Sequence, residues 1–269
     1  MAITALHSAA TGLRALSTRI DVVANNLANA ETNAFKRSRV NFEDLMYLTL
    51  KQPGAVNANS EFSPAGIFVG LGVRISNTQL DLEQGSLERT DAPLDVGIQG
   101  EGFFRVQVLD TIGNGLAYTR NGNFIVNRDG ELVLGVKDGP RLDPPITIPP
   151  DATEINITTD GTISVLRAGQ TNSTVVGQLR LFQFVNPQGL DIIGGSLFQE
   201  TEASGPPLES APGEDGSGEI LQGHLESSNV DPVKELVTLI KTQRAFELNS
   251  QSIQTADQAL QTIGNLRRF

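Results

Sequence analysis

AITALHSAATGLRALSTRIDVVANNLANA, residues 2–30, decides the fold. Its apolar positions Ala2, Leu6, Ala9, Leu13, Leu16, Ile20, Val23, Leu27 and Ala30 are separated alternately by four and three residues, the spacing of a coiled-coil seam. A strand would need a period of two, so the stretch reads as a long amphipathic helix. Gly12 weakens it by up to about 1 kcal/mol relative to alanine. The run Asn25, Asn26, Asn29 and Asn33 marks where the helix is expected to end, because asparagine tolerates the left-handed conformation of a C-terminal cap.

The far end of the chain repeats the pattern. Leu239, Phe246, Ile253 and Leu260 lie seven apart, with Thr242, Asn249, Ala256 and Ile263 at the intervening seam positions. Asn229 or Asp231 supplies a cap, Pro232 suits the first helical position, and Glu235 places an acid in the first turn. Gly264 and Asn265 are expected to stop this second helix. Two helices that each carry one apolar stripe are most simply satisfied by packing on each other, which makes everything between them an insertion. Thr242 and Asn249 on the seam, with Leu236, Val237 and Ile240 off it, suggest contacts on more than one face.

Residues 36–75 change character at Lys51-Gln52-Pro53-Gly54 and again through Asn57, Asn59, Ser60, Ser63 and Pro64, and read as an extended linker. Short β-type runs follow over residues 102–108, 123–127, 154–158 and 162–166. They are punctuated by Asn121-Gly122, Asp129-Gly130 and Asp160-Gly161 turns. The stretch 201–218, rich in Gly, Pro, Ser and acids, reads as a surface loop. The expected class is therefore α+β, with discontinuous N- and C-terminal coiled-coil helices flanking a mostly antiparallel β domain. The expected divisions are 1–35 plus 230–269 for the helical domain, 36–75 for the linker and 76–229 for the β-rich part.

Composition removes several function classes. With 269 residues, 39% of them hydrophobic, the chain can bury a core without metals or crosslinks. Cysteine is absent, so no disulfide framework, thiolate nucleophile or thiolate metal site exists. A formal net charge of −11 argues against nucleic acid and anionic membranes as partners, because both are bound by clustered Lys and Arg. No run approaches the roughly 18 to 20 apolar residues that span a bilayer, and a basic segment followed by an apolar one is missing at the N-terminus. The expectation is no membrane insertion and no cleaved secretory signal.

A search for chemistry finds none. His7 and His224 are the only histidines, and a metal or catalytic site needs several converging groups. An EF-hand reading around Asp129 fails because Ile125 and Val136 would occupy the first and twelfth ligand positions. Gly97, Gly100 and Gly102 do not form a dinucleotide loop, since Phe103, Phe104 and Val106 continue as a strand. No nucleophile elbow or phosphate loop occurs. We therefore expect no catalytic residues, no cofactor and no metal. Lys36, Arg37 and Arg39 form the one basic cluster, expected to meet solvent or acidic groups of a neighbouring subunit.

Ala24-Asn25-Asn26-Leu27-Ala28-Asn29-Ala30-Glu31-Thr32-Asn33-Ala34-Phe35-Lys36 closely resembles the N-terminal signature of bacterial flagellar rod and hook proteins. Thr242-Gln243-Arg244-Ala245-Phe246-Glu247-Leu248-Asn249-Ser250, continued by Thr255-Ala256-Asp257, is similar to the other end of that family. Pro93-Leu94-Asp95-Val96, Gly100-Glu101-Gly102-Phe103-Phe104 and Tyr118-Thr119-Arg120-Asn121-Gly122 are similar to its central β motifs. Length and the segment from Lys51 to Gly70-Leu71-Gly72-Val73-Arg74 most resemble the distal-rod members.

The resemblance implies a helical homopolymer with the terminal helices inside and the β domain outside. It also implies export by the flagellar type III apparatus without a cleaved signal, and a periplasm-spanning place in the basal body. Partners implied are further copies of the chain, proximal-rod and hook-side proteins, and the surrounding P- and L-ring or equivalent bushing proteins. Expected interface residues are Leu6, Leu13, Leu16, Ile20, Val23 and Leu27 on the first seam, and Leu239, Phe246, Ile253, Leu260 and Ile263 on the second. Expected motif residues are Asn25, Asn26, Asn29, Asn33, Phe35, Gln243, Arg244 and Asn249. The alternatives are a proximal-rod or hook subunit, distinguished by the linker, and a β-domain binding module dimerised by its helices. The latter is disfavoured by 5% aromatics and no Trp.

Overall fold

The computed structural model describes residues 2–54, 62, 64–108, 115–137, 139–170 and 172–266, and of Ala2, Ile3, Ile263, Asn265 and Leu266 the backbone alone. Parts of the linker reading, the side chain of Ile263 and the last three residues lie outside this description. Two long helices, α1 (Ala2–Ala28) and α2 (Pro232–Leu266), bracket a set of antiparallel strands, an α+β arrangement. The chain divides into two compact units. Unit 1 is Met1–Ala28, Ser38–Leu80 and Asp231–Phe269; unit 2 is Asn29–Arg37 and Asp81–Val230.

In unit 1, α1 packs against α2 and also against a ribbon made from the segment expected to be a linker. That segment forms β1 (Ser38–Asp44), β2 (Tyr47–Lys51), β3 (Ile67–Gly70) and β4 (Val73–Leu80). β1 pairs with β4 and β2 with β3, so residues 38–51 run out and 67–80 run back as an antiparallel ribbon. Pro53 and Gly54 form a turn after β2. The root alternates apolar and polar residues, as a ribbon resting one face on a helix requires. Small residues permit the docking. Gly72, at φ +111°, leaves no room for a side chain, because a Cβ there would lie 2.1 Å from Thr11 Oγ1. Ser8 Oγ donates to the Gly70 carbonyl at 3.3 Å, and the Val73 N–H donates to Thr11 Oγ1 at 3.3 Å.

Asp231 caps α2: its Oδ1 accepts from the N–H groups of Val233 at 3.0 Å and Lys234 at 3.2 Å, and Pro232 follows it. The helix runs on through Gly264 to Leu266, beyond the expected stop. Gly264 is exposed with open space around it, so it costs the helix only about 1 kcal/mol and gives no reason to turn.

Unit 2 carries β5 (Leu87–Arg89), β6 (Val96–Gln99), β7 (Phe104–Gln107), β8 (Leu116–Thr119), β9 (Phe124–Val126), β10 (Leu132–Leu134), β11 (Arg141–Asp143), β12 (Ala152–Ile157), β13 (Thr162–Arg167), β14 (Thr174–Gln178), β15 (Leu181–Gln183), β16 (Asp191–Gly194), β17 (Leu197–Gln199), β18 (Leu208–Ser210), β19 (Glu219–Gln222) and β20 (His224–Glu226). Seven strands form one sheet in the order β16-β17-β8-β7-β11-β10-β9, and β12-β13-β14 form a second. The pairs β15-β18, β19-β6 and β20-β5 join the remainder.

Phe104, Leu132, Leu134, Ile163, Leu179, Leu181 and Ile220 head the main hydrophobic core. A separate aromatic cluster joins Phe103, Tyr118, Phe182, Phe184 and Phe198 through edge-to-face contacts at 4.8 to 6.0 Å. Burial pushes the Tyr118 phenol up to about 12, with Glu200 adding to the shift.

Two turn readings need correction. Asn121-Gly122 is not a hairpin turn, for β8 and β9 are not neighbours. Gly122 is there for close approach: its carbonyl accepts from the Val96 N–H, and a Cβ would lie 1.7 Å from the Val96 carbonyl oxygen. The supposed surface loop 201–218 contains β18, paired with β15, and buries Ser204.

Candidate assembly surface

The terminal helices present seam residues in two environments. On α1, Val23 is buried and Leu6, Leu13, Leu16, Ile20 and Leu27 are half-buried. Ala15, outside the expected seam, is fully buried beside Thr11, Val73 and Ile75, because α1 is covered on a second side by the ribbon. On α2, Leu239, Phe246, Ile253 and Leu260 are half-buried, while Glu235 and Thr242 are buried. Gly12 lets the helices approach: a Cβ on it would sit 3.4 Å from Asn249 Nδ2.

Much of unit 1 remains unpartnered within its own chain. Ile240 is 52% and Leu248 65% exposed, alongside Val233, Leu236 and Val237. Ile240 and Leu248 flank a shallow groove with Gln243, Arg244 and Glu247. On the ribbon, Met46 is 83%, Leu50 58% and Phe68 52% exposed, and Tyr47, Leu48 and Ile67 are similar. A two-stranded ribbon with apolar residues in water is the kind of surface that associates.

The asparagine signature divides between the units. Asn26, in unit 1, is buried and grips Ser38 twice: its Nδ2 donates to the Ser38 carbonyl at 2.9 Å, and its Oδ1 accepts from the Ser38 N–H at 3.0 Å. Its Nδ2 also lies 3.5 Å from Glu235 Oε2. Asn25 is exposed. Asn29 and Asn33 belong to the strap 29–37 of unit 2, where Asn29 Oδ1 accepts from Thr32 Oγ1 and the Asn33 carbonyl accepts from Ser196 Oγ at 3.1 Å. The half-buried Phe35 donates its N–H to the Thr32 carbonyl.

The basic cluster does not face outward as expected. Lys36 is buried, with Nζ 2.5 Å from Glu226 Oε1 and 2.7 Å from the Glu83 carbonyl oxygen. Arg120 Nε holds the other Glu226 oxygen at 2.7 Å and aims its remaining donors at the Gly100 and Gly102 carbonyls. Burial lowers the Lys36 pKa from 10.5, with Glu226 pulling upward and Arg120 downward. Arg37 pairs with Asp81 and Arg39 donates to Gln79, so the cluster is largely satisfied inside its own chain.

Residues 6–36 match the family described as flagella basal body rod protein. Residues 97–165 match the flagellar hook protein FlgE/F/G D1 domain, and residues 221–266 the flagellar basal body rod FlgEFG protein C-terminal region. A protein of Buchnera aphidicola subsp. Acyrthosiphon pisum named flagellar basal-body rod protein FlgG is 48% identical over 95% of this chain and 96% of its own length. The Caulobacter vibrioides protein of the same name is 44% identical over 98% and 99%. The chain belongs to the FlgG-type flagellar basal-body rod family.

A relative in Mesorhizobium japonicum named flagellar basal-body rod protein FlgF stands further off, at 32% identity over 97% of this chain and 98% of its own. Membership of the rod family makes the chain a structural component of the flagellar basal body that assembles with other rod and hook components. Within that family frame, sequence reading missed Glu226, read Asn229 only as a possible helix cap, and gave Gly72 no role beyond its motif. Asn229 Oδ1 accepts from the Arg37 N–H at 2.8 Å, while its Nδ2 donates to the carbonyls of Asp81 and Glu83. Glu226 lies 190 residues from Lys36 in sequence, and no local signal joins the two.

The charge also divides. Unit 1 holds 10 Lys and Arg against 8 Asp and Glu, whereas unit 2 holds 10 against 23. The whole acidity of the chain therefore belongs to unit 2, at −13, and unit 1 is near neutral. Among the described residues, no helix is long and apolar enough to cross a membrane and no group of three potential metal ligands gathers.

Proposed function

We propose that this chain is the distal-rod subunit, polymerising through unit 1 into a stiff helical shaft that carries motor torque to the hook, without a catalytic role. The supporting observation is the pair of dissimilar apolar surfaces in unit 1, the outward stripe of α2 and the β2–β3 ribbon, both exposed in the single chain. Two different faces that each need covering favour a heterologous contact, which propagates as an open helix rather than closing as a two-fold dimer. Near-neutral charge in unit 1 lets copies meet there without strong repulsion.

Proximal-rod and hook-side proteins at the ends of the shaft, ring proteins around it, and the type III export apparatus are the further partners this reading carries. They rest on the family likeness. The seam residues Leu6 to Leu27 and Leu239 to Leu260 then hold the helix pair, and Gln243 and Arg244, both exposed on α2, are available to neighbouring copies.

The test is polymerisation of the purified chain with Leu48→Ser, Leu50→Ser and Phe68→Ser introduced together. These exposed residues contribute within about 0.5 kcal/mol each to the stability of the lone chain, so its melting should barely move. Filament yield by sedimentation and electron microscopy should fall sharply. Unchanged filaments of unchanged stiffness would remove the ribbon from the mechanism.

A further inference from the structure

Asn121-Gly122 turns no hairpin, and it is one of two Asn-Gly steps in the chain, the other being Asn114-Gly115. An Asn-Gly step carries its own chemistry. The main-chain nitrogen after the asparagine attacks the side-chain carboxamide carbon, ammonia leaves with the amide nitrogen, and a five-membered succinimide closes. Water then opens either imide carbonyl, so the net change is gain of water and loss of ammonia. One opening gives aspartate. The other gives isoaspartate, in which the main chain runs through Cβ and is one carbon longer. Glycine makes the step fast, because no Cβ shields the attacking nitrogen or restricts the backbone around it.

The folded chain holds this step shut. Asn121 is buried, its N–H donates to Thr119 Oγ1 at 3.0 Å, and its Oδ1 accepts from the Asn123 N–H at 3.1 Å. The Gly122 carbonyl accepts from the Val96 N–H at 3.0 Å, and Asn123 Nδ2 donates to Asp95 Oδ1 at 3.1 Å. Ring closure has to swing the carboxamide away from Asn123 and bend the main chain at Gly122, so it breaks bonds on both sides of the step, and each buried group left unpaired adds to the barrier. The two products also fit this place differently. Aspartate keeps the length of the main chain and an oxygen for the Asn123 N–H. Isoaspartate inserts a carbon where there is no slack. A Cβ on Gly122 would lie 1.7 Å from the Val96 carbonyl oxygen and 3.3 Å from the Phe104 ring, and Val96 and Phe104 both belong to the unit 2 core. We propose that Asn121 is a deamidation site open only while unit 2 is unfolded, and that folding then sorts the products, accepting aspartate and rejecting isoaspartate. Folding at this step thereby rejects chains that have stayed unfolded long enough to carry the lesion.

The test ages the full-length chain in mildly alkaline buffer with and without urea and reads its peptides by mass spectrometry for the shift from amide to acid. In urea, Asn114 supplies a clock of the same chemistry. Without urea, Asn121 should deamidate at least about tenfold more slowly than with it, since the reaction must wait for the structure to open. The urea-aged chain is then refolded and separated by gel filtration. Isoaspartate at 121, labelled by an isoaspartyl methyltransferase, should be at least about fivefold poorer in the folded peak than in the misfolded material, as a modest loss of stability requires. Aspartate at 121 should divide between the two as the unmodified residue does. Asn121→Asp makes the accepted product without ageing and should fold with the circular dichroism of the natural chain. Equal rates at Asn121 with and without urea, isoaspartate shared evenly between the fractions, or an Asn121→Asp chain that does not fold would each overturn the proposal.

Discussion

At the scale of single residues, the most consequential groups are polar and buried. Glu226 accepts from Lys36, Arg120 and the Gly85 N–H, all within unit 2. Glu226→Gln leaves two cations sharing a neutral amide and should cost unit 2 about 3 to 5 kcal/mol, read as a lower denaturant midpoint in fluorescence or circular dichroism. Asn26→Ala should cost unit 1 about 1 to 3 kcal/mol, since it strips partners from both main-chain groups of Ser38. Asp231 gives a pH dependence with a definite sign. Hydrogen bonds from the Lys234 and Val233 amides hold its carboxyl below the ordinary 3.8. The cap therefore stabilises the folded chain above pH 3.8, and its contribution disappears as pH falls through the lower folded value. Comparing melts of the natural chain and Asp231→Asn from pH 6 to 2.5 should show a narrowing gap, because the asparagine cap does not titrate.

At the scale of elements, both helices were legible because a heptad stripe repeats over many turns and survives local exceptions such as Gly12. The Asp231-Pro232 start was legible too, since capping chemistry is local. The ribbon was not. Its signal is the pairing of Ser38 with Leu80 across some forty residues, and nothing local announces such a register. The docking of its root on α1 was equally hidden, because Gly72 matters through Thr11, sixty residues away in sequence. Gly72→Ala should strain the backbone and push against Thr11, costing about 1 to 3 kcal/mol. Hydrogen exchange should then rise in β1 and β4 while the unit 2 sheets stay protected.

At the scale of the whole molecule, the two units differ in what they leave unsatisfied. Unit 2 encloses a large hydrophobic core and a further aromatic cluster, whereas unit 1 leaves apolar faces in water. On dilute monomer, exchange should be slow through residues 81–230 and fast along both helices, with the N-terminal boundary at Asn29 instead of after Phe35. Strong protection of both helices would mean that they are complete without neighbours.

The clasp between Lys36 and Glu226 spans 190 residues of chain. A ribosome adding about 5 to 20 residues per second needs about 10 to 40 s to cover that distance, and throughout it the strap has nothing to close on. The strap of every new chain thus emerges long before the residue that will clasp it.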